Sequence, residues 1–427
     1  MPTLPRLEDP RDRRGHIRGD ENPYRPGVGS PGGIAVPPQK LVISDADIVE
    51  ACTAARRAGR VGFDTEFLRE RTYRARLCLV QVTSGDEVVL IDPLSDPQLG
   101  PLADLIADPE VEVVVHAGRQ DFEIFHDAFG VTPKRVFDVQ IAAGFAGLGA
   151  SLPYGRLVEA VLGTKLAKGE AYTDWCRRPL SDAQTKYAAD DVRYLIPLAD
   201  ALAKQLAEQG RADWVADEMR ELENVRLYTS SPDDAYKRVP GQGTLSPRQV
   251  AVLKEVSRWR EEEASKRDLP RGWIIKDVSL VELARRAPTD RRALQAIRGL
   301  NDKLIERSGQ FLLAAIQKGL TAPPLARPRA PDRALAARAR AVAALAEPVI
   351  RARADAAGVA RELLVTRDEL EAFLVDALSK DADMARHRIF RGWRRELVGN
   401  AVIELAEGRI ALRATAEPPF VKEVPLD

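Results

Sequence analysis

Residues 61–66 read VGFDTE, an apolar run of strand type that ends in two carboxylates one residue apart. Side chains alternate along a strand, so Asp64 and Glu66 share one face of whatever sheet this segment joins. Like charges that close repel, and burying them costs more still. A solvated strand end is the simple reading. A site that needs paired carboxylates is the other, and residues elsewhere in the chain must decide between them.

The surrounding segments place VGFDTE in an α/β region. Ser44, with Asp47 three residues on, caps a helix that Gly59 can end. LCLVQV at 77–82 and EVVLI at 87–91 follow closely enough to be antiparallel neighbours of the first strand. A helix is expected near 98–107, a buried strand at 111–115 (VEVVV), and a helix at 119–129 closed by Gly130. The sum is a mixed sheet of about five strands flanked by helices.

Past Gly241 the strand pattern stops. Ser246 and Pro247 open a helix as N-cap and first residue, and helical periodicity runs to Leu320. TAPPLARPRAPDR at 321–333 reads as a hinge, and a second helical region extends to about Ala411. Ser279 with Glu282, and Thr366 with Glu369, each have the spacing of a capping box, which suggests a weak duplication of one all-helical module. At the other end, residues 1–40 hold eight Pro and six Gly and read as a disordered leader.

Composition sets outer bounds. A chain of 427 residues suggests two or three domains. Sixty-four basic residues balance sixty-four acidic ones, so net charge indicates neither nucleic acid nor membrane. Cys52, Cys78 and Cys176 form no CxxC pair and no disulfide framework, which fits a reducing cytosol. No apolar run approaches a transmembrane length, and the N-terminus lacks the apolar core of a signal peptide.

Two further acids answer the opening question. In HAGRQDFEIF, Asp121 falls in the first turns of the helix after strand 111–115, beside that strand's carboxyl end. In YAADDVRYL, Tyr187 and Asp191 are four apart and share a helix face. Four carboxylates and a tyrosine can thus converge at one sheet edge, a cluster that hard divalent cations would relieve. Two such ions about 4 Å apart clamp the attacking and leaving oxygens of a phosphoryl displacement.

The order DTE, HAGRQD, YAADD resembles the three exonuclease motifs of the DEDD superfamily of 3′ to 5′ exonucleases, in its tyrosine-bearing subclass. LCLVQV and DWCRRPLS at 174–181 are also similar to the ribonuclease D family, in which an exonuclease domain precedes two helical HRDC modules. The resemblance spans about 41–411. It implies a ribonuclease H-like exonuclease domain with a mixed sheet, followed by two all-α HRDC-like modules. The expected boundaries are a leader at 1–40, the exonuclease domain at 41–215, a connector at 216–241, helical domains at 242–322 and 336–413 around a linker at 323–335, and a tail at 414–427.

By that resemblance Asp64, Glu66, Asp121 and Asp191 bind two divalent ions, magnesium first and manganese as the alternative, and Tyr187 holds the attacking water. RNA is the implied partner, chiefly tRNA precursors, in the cytoplasm and with no membrane or obligate protein partner. Phe67 and Leu68 wedge against the terminal base or simply pack at a strand end; Gln120 contacts substrate or is an ordinary polar residue of a first helical turn. Asp190 neighbours Asp191 but lacks the Tyr-x-x-x-Asp spacing, so it reads as a solvated or supporting acid. His116 precedes the second motif and reads as a hydrogen-bonded strand-end residue, and Asp138 either caps the next helix or joins the site.

Charge is uneven. Residues 246–320 carry 16 basic against 10 acidic residues, and 321–361 eight Arg against three acids. A basic half beside a phosphodiester site is expected to track a nucleic-acid backbone rather than only to solvate helix faces. On this reading the helical half merely holds substrate, and a fragment ending near Gly241 keeps its turnover on a short strand. Two rivals remain at this level: a DNA exonuclease built on the same constellation, and a non-catalytic RNA-binding scaffold.

Overall fold

The computed structural model describes residues 37–42, 44–167, 173–229, 231–325, 332–379 and 383–426. The expected leader lies outside the described residues up to position 36, and its last residues enter a strand. The sheet has six strands in the order β1-β4-β3-β2-β5-β6: β1 Gln39–Val42, β2 Arg60–Leu68, β3 Arg76–Thr83, β4 Val88–Ile91, β5 Glu112–Val115 and β6 Val136–Asp138. Its two outermost members are the strands absent from the sequence reading. Both are short, and β1 gains its conformation by pairing in parallel with β4 at a position where leader composition dominates. β3 alone runs against the rest, antiparallel to β2 and β4, while β2 and β5 are parallel.

Helices cover both faces. On one side α1 (Asp45–Ala58), α2 (Gly100–Ile106) and α3 (Arg119–Phe129) enclose a core containing Ile48, Phe63, Leu105, Phe122 and Phe125. α1 starts on the Ser44 cap and ends at Gly59, whose φ of 69° needs a residue tolerant of the left-handed region. On the other side lie α4 (Val139–Phe145), α5 (Tyr154–Leu162), α6 (Asp182–Arg193), α7 (Leu195–Glu208) and α8 (Ala212–Leu222).

The first helical region comprises α9 (Pro247–Arg267), α10 (Arg271–Ile274), α11 (Asp277–Arg286), α12 (Arg291–Gln295) and α13 (Asp302–Thr321) around its own core. Ser246 and Gln249 form the capping box of α9. The box expected at Ser279 does not form: α11 begins two residues earlier, and the Ser279 hydroxyl is buried, donating to the Arg298 carbonyl at 2.8 Å. The Thr366–Glu369 box does form, at 2.7 and 3.3 Å.

The second helical region contains α14 (Arg333–Ala357), α15 (Arg367–Ser379), the short α16 (Gly392–Arg394) and α17 (Asn400–Ala406). Strands do not vanish here as expected: β7 (Ile410–Ala414) and β8 (Val421–Pro425) form an antiparallel hairpin, and Glu423 on β8 holds Arg353 of α14 at 2.7 Å. This region shares one continuous core with α4–α8. Trp393 stacks on Trp214 at 5.0 Å and meets Phe145 edge-on at 5.1 Å. A Cβ on Gly144 would stand 2.7 Å from Leu363 Cδ1, so a side chain there would force Leu363 to shift. Arg211 donates to Phe145 O at 2.6 Å and Gly358 O at 2.9 Å, placing one cation at the carboxyl ends of α4 and α14 together.

A second correction concerns cysteine. Cys78 on β3 and Cys176, which precedes α6, are disulfide-bonded with Cα atoms 5.1 Å apart, and Cys52 is free and buried. Their separation of 98 residues hid the pair from spacing arguments. The scattered cysteines therefore no longer argue for a reducing compartment. Among the described residues no helix is long and apolar enough to cross a membrane.

The shared core makes a stability prediction. Trp393→Ala should cost about 3–5 kcal/mol, as loss of a buried tryptophan does. The sheet domain and the second helical region should melt together. Urea unfolding followed by the fluorescence of a Trp259→Phe, Trp273→Phe chain, whose remaining Trp175, Trp214 and Trp393 all lie in the shared core, checks both; two separated transitions in that signal would contradict the shared core.

Candidate functional site

Parallel pairing of β2 with β5 brings their carboxyl ends to the same edge of the sheet, so Asp64 and Glu66 meet the helix that follows β5. Asp121 lies in the first turn of that helix, α3, and is buried. Between the two strand acids, Thr65 points the other way and its hydroxyl donates to the Asp121 carboxylate. α6 crosses β2, β3 and β4 and brings Tyr187 and Asp191 to the same space. All five expected residues are thus gathered at one edge.

Burial pushes each carboxyl group upward, and their charges add to it. Asp64 is raised by burial, then by Asp121, Asp191 and Glu66. Burial with the charges of Asp191 and Asp121 takes Glu66 to about 8. Asp121 and Asp191 also rise, chiefly from burial, with Asp138 and Asp190 as the respective neighbouring charges. Tyr187 is pushed above its usual range by burial and by Asp191, Glu66 and Asp64, so it remains a phenol at neutral pH.

Other residues sort by their partners. Asp190 is ion-paired with buried Arg193, which also holds Gln39 at 2.8 Å, so it is a supporting acid rather than a solvated one. Asp138 caps α4 and also accepts from the Ala117 and Gly118 amides, each at 3.1 Å. It therefore fixes the turn, with Ala117 at φ 57°, that launches α3 and its Asp121. His116 meets the Leu152 carbonyl at 3.0 Å and packs edge-on against Tyr154, a strand-end role. A β-bulge falls between Glu66 and Phe67. Beyond it Leu68 packs on the same core as Tyr187, whereas Phe67 joins no core cluster among the described residues. Gln120 is exposed at the start of α3.

Among the described residues no three His, Cys, Asp or Glu side chains stand at spacing for one ion. The donors themselves fit hard divalent cations: four carboxylates, no thiol or imidazole, and a mutual repulsion that a cation removes.

The raised carboxyls fix a sign. Acids whose folded pKa lies above the unfolded value stabilise the fold while protonated, so metal-free stability should fall as pH rises from about 4 to about 8. Magnesium should therefore raise the melting temperature markedly at pH 8 and little at pH 5. Thermal melts with and without chelator check this, and an equal magnesium effect at both pH values would contradict it.

A family model described as 3′-5′ exonuclease matches residues 40–207, and the HRDC domain model matches 249–316. Ribonuclease D from Acidiphilium cryptum is 37% identical over 392 residues, covering 91% of this chain and 98% of the relative. Ribonuclease D from Nitrobacter hamburgensis is 37% identical over 375 residues, covering 87% and 96%. The crystal structure of Escherichia coli RNase D, an exoribonuclease involved in structured RNA processing, superposes with a TM-score of 0.75 at 30% identity over 87% of this chain and 99% of that one. The catalytic core of RRP6 from Trypanosoma brucei shares the fold, with a TM-score of 0.51 at 22% identity. With relatives at this identity covered over nearly their whole length, the chain belongs to the ribonuclease D family.

Proposed function

We propose that the protein removes nucleotides one at a time from the 3′ end of structured RNA, tRNA precursors above all, by two-metal hydrolysis at Asp64, Glu66, Asp121 and Asp191. Family membership makes it a hydrolytic exoribonuclease and sets aside the non-catalytic scaffold. The observation that carries the finer reading is the convergence of four carboxyl groups whose burial and neighbouring charges hold them above their usual range. Magnesium bound there would supply charge neutralisation at the attacking and leaving oxygens.

The protein's own groups have distinct tasks. Tyr187 stays protonated, so it orients the attacking water through its hydroxyl rather than removing a proton. Asp190, already paired with Arg193, stays out of the ligand set and leaves Asp191 to it. Phe67, free of core packing among the described residues, would stack on the terminal base, and Leu68, packed on the same core as Tyr187, would support the end of the strand. The proposed division of labour gives 41–215 the chemistry and the basic helical regions the hold on RNA. A cytoplasmic site of action is part of the proposal and rests on the RNA substrate alone.

Asp64→Asn and Asp191→Asn should each lower turnover on the order of a thousandfold with the fold intact. Tyr187→Phe should lower it about a hundredfold, the lower end for a lost proton-handling or orienting group. The experiment is digestion of 5′-labelled RNA and matched DNA with and without magnesium. A stepwise RNA ladder that a 3′-phosphate slows is expected. An early internal cut, or equal digestion of DNA, would overturn the reading.

A further inference from the structure

The loop between β2 and β3, residues 69–75 (RERTYRA), leaves the strand that carries Asp64 and Glu66 and docks on the first helical region. Tyr73 packs against that region's core, and its hydroxyl donates to Glu261 Oε2 at 2.9 Å. Glu261 is 2% exposed, a carboxylate taken almost wholly out of water. Arg271 compensates it, donating from Nε to both oxygens at 2.8 and 2.7 Å, and lays its guanidinium over the Tyr73 ring at 4.6 Å. Asp268, in the left-handed region at φ 47° where α9 ends, accepts the Tyr73 amide at 3.1 Å and the Arg74 amide at 3.4 Å. The other side of the loop is tied to α3: Arg69 pairs with Glu123 at 3.2 Å, and Arg74 donates to the Asp127 carbonyl at 3.4 Å.

A loop without ladder hydrogen bonds takes its position from whatever satisfies its backbone and side chains. This one is held between the helix that bears Asp121 and the first helical region, and it begins three residues after Glu66, just past the bulge at Phe67. We infer that the first helical region is a positioning element for the active site, with Asp268 and Glu261 holding the β2–β3 loop, and through it Phe67 and the end of β2, in the productive arrangement. The inference rests on the assignment of the acidic cluster as the exonuclease site. It reverses the expectation that a fragment ending near Gly241 keeps its turnover.

The test uses the full chain and a 5′-labelled RNA trinucleotide, which has too few phosphates to draw much on a basic holding surface. Asp268→Gly keeps the left-handed helix end, because glycine adopts that conformation freely, and removes only the acceptor. It should lower kcat about tenfold with KM unchanged, the scale expected when reacting groups move by a fraction of an ångström. Asp268→Asn, which also tolerates the left-handed region and offers an amide oxygen to the same N–H groups, should restore turnover to near that of the unsubstituted protein. Tyr73→Ala should lower kcat similarly, and the Tyr73→Ala, Asp268→Gly double variant should fall no further than the worse single one. Unchanged kcat on the trinucleotide for Asp268→Gly would overturn the inference while leaving the exonuclease site standing. Failure of the unsubstituted protein to shorten any RNA from its 3′ end in magnesium would overturn the site assignment and this inference with it.

Discussion

Repulsion among four carboxyl groups at one edge of the sheet is the constraint around which the rest of the molecule is arranged. Asp64 and Glu66 are side by side because strand residues alternate, and the parallel β2–β5 pair delivers Asp121 to them because both strands end at the same edge. α6 then adds Asp191 and Tyr187. A cluster of this kind opposes folding in the absence of cations, so the remaining structure must supply the stability the site withholds. Local contacts oppose the tendency to spread: Thr65 holds Asp121, Asp138 pins the turn before α3, and Arg193 engages Asp190.

The helical half supplies much of that stability and is not a pair of tethered handles. The second region completes the core over α4–α8, where Trp393 lies between Trp214 and Phe145 and Arg394 pairs with Glu218. The first region keeps its own core but reaches the sheet domain through the buried Glu261 network. A pair whose carboxylate is buried while its arginine stays partly exposed contributes little net stability compared with an apolar contact, yet it demands one geometry. Such a device suits an interface whose task is to set position.

Much of this was legible in the sequence, and most of the exceptions share a cause. The strands at 61–66, 77–82, 87–91 and 111–115 and the helix at 119–129 appear where periodicity and glycine signals put them, because each is long or strongly apolar. The edge strands β1 and β6 and the disulfide escaped notice because their conformations come from partners distant in the chain, whereas the β7–β8 hairpin is a local pairing that falls where a helical end and a tail were expected. Ser279 shows the limit of a local rule: its spacing to Glu282 suits a cap, but a carbonyl on the Arg298 segment takes the hydroxyl instead. At the site, the acids and the tyrosine could be read from motif order. The roles of Asp138 and Arg193 could not, since a carboxylate three residues from an arginine, or ahead of a helix, has many ordinary uses. Tyr73 and Glu261 lie 188 residues apart, and no spacing argument joins them.

The account stands or falls on whether the carboxylate cluster holds cations. Anomalous diffraction from crystals of the full chain grown with manganese, collected at the manganese edge, tests it most directly. Two peaks about 4 Å apart, ligated by Asp64, Glu66, Asp121 and Asp191, are the predicted result. Manganese bound elsewhere, with these four side chains unligated, would contradict it.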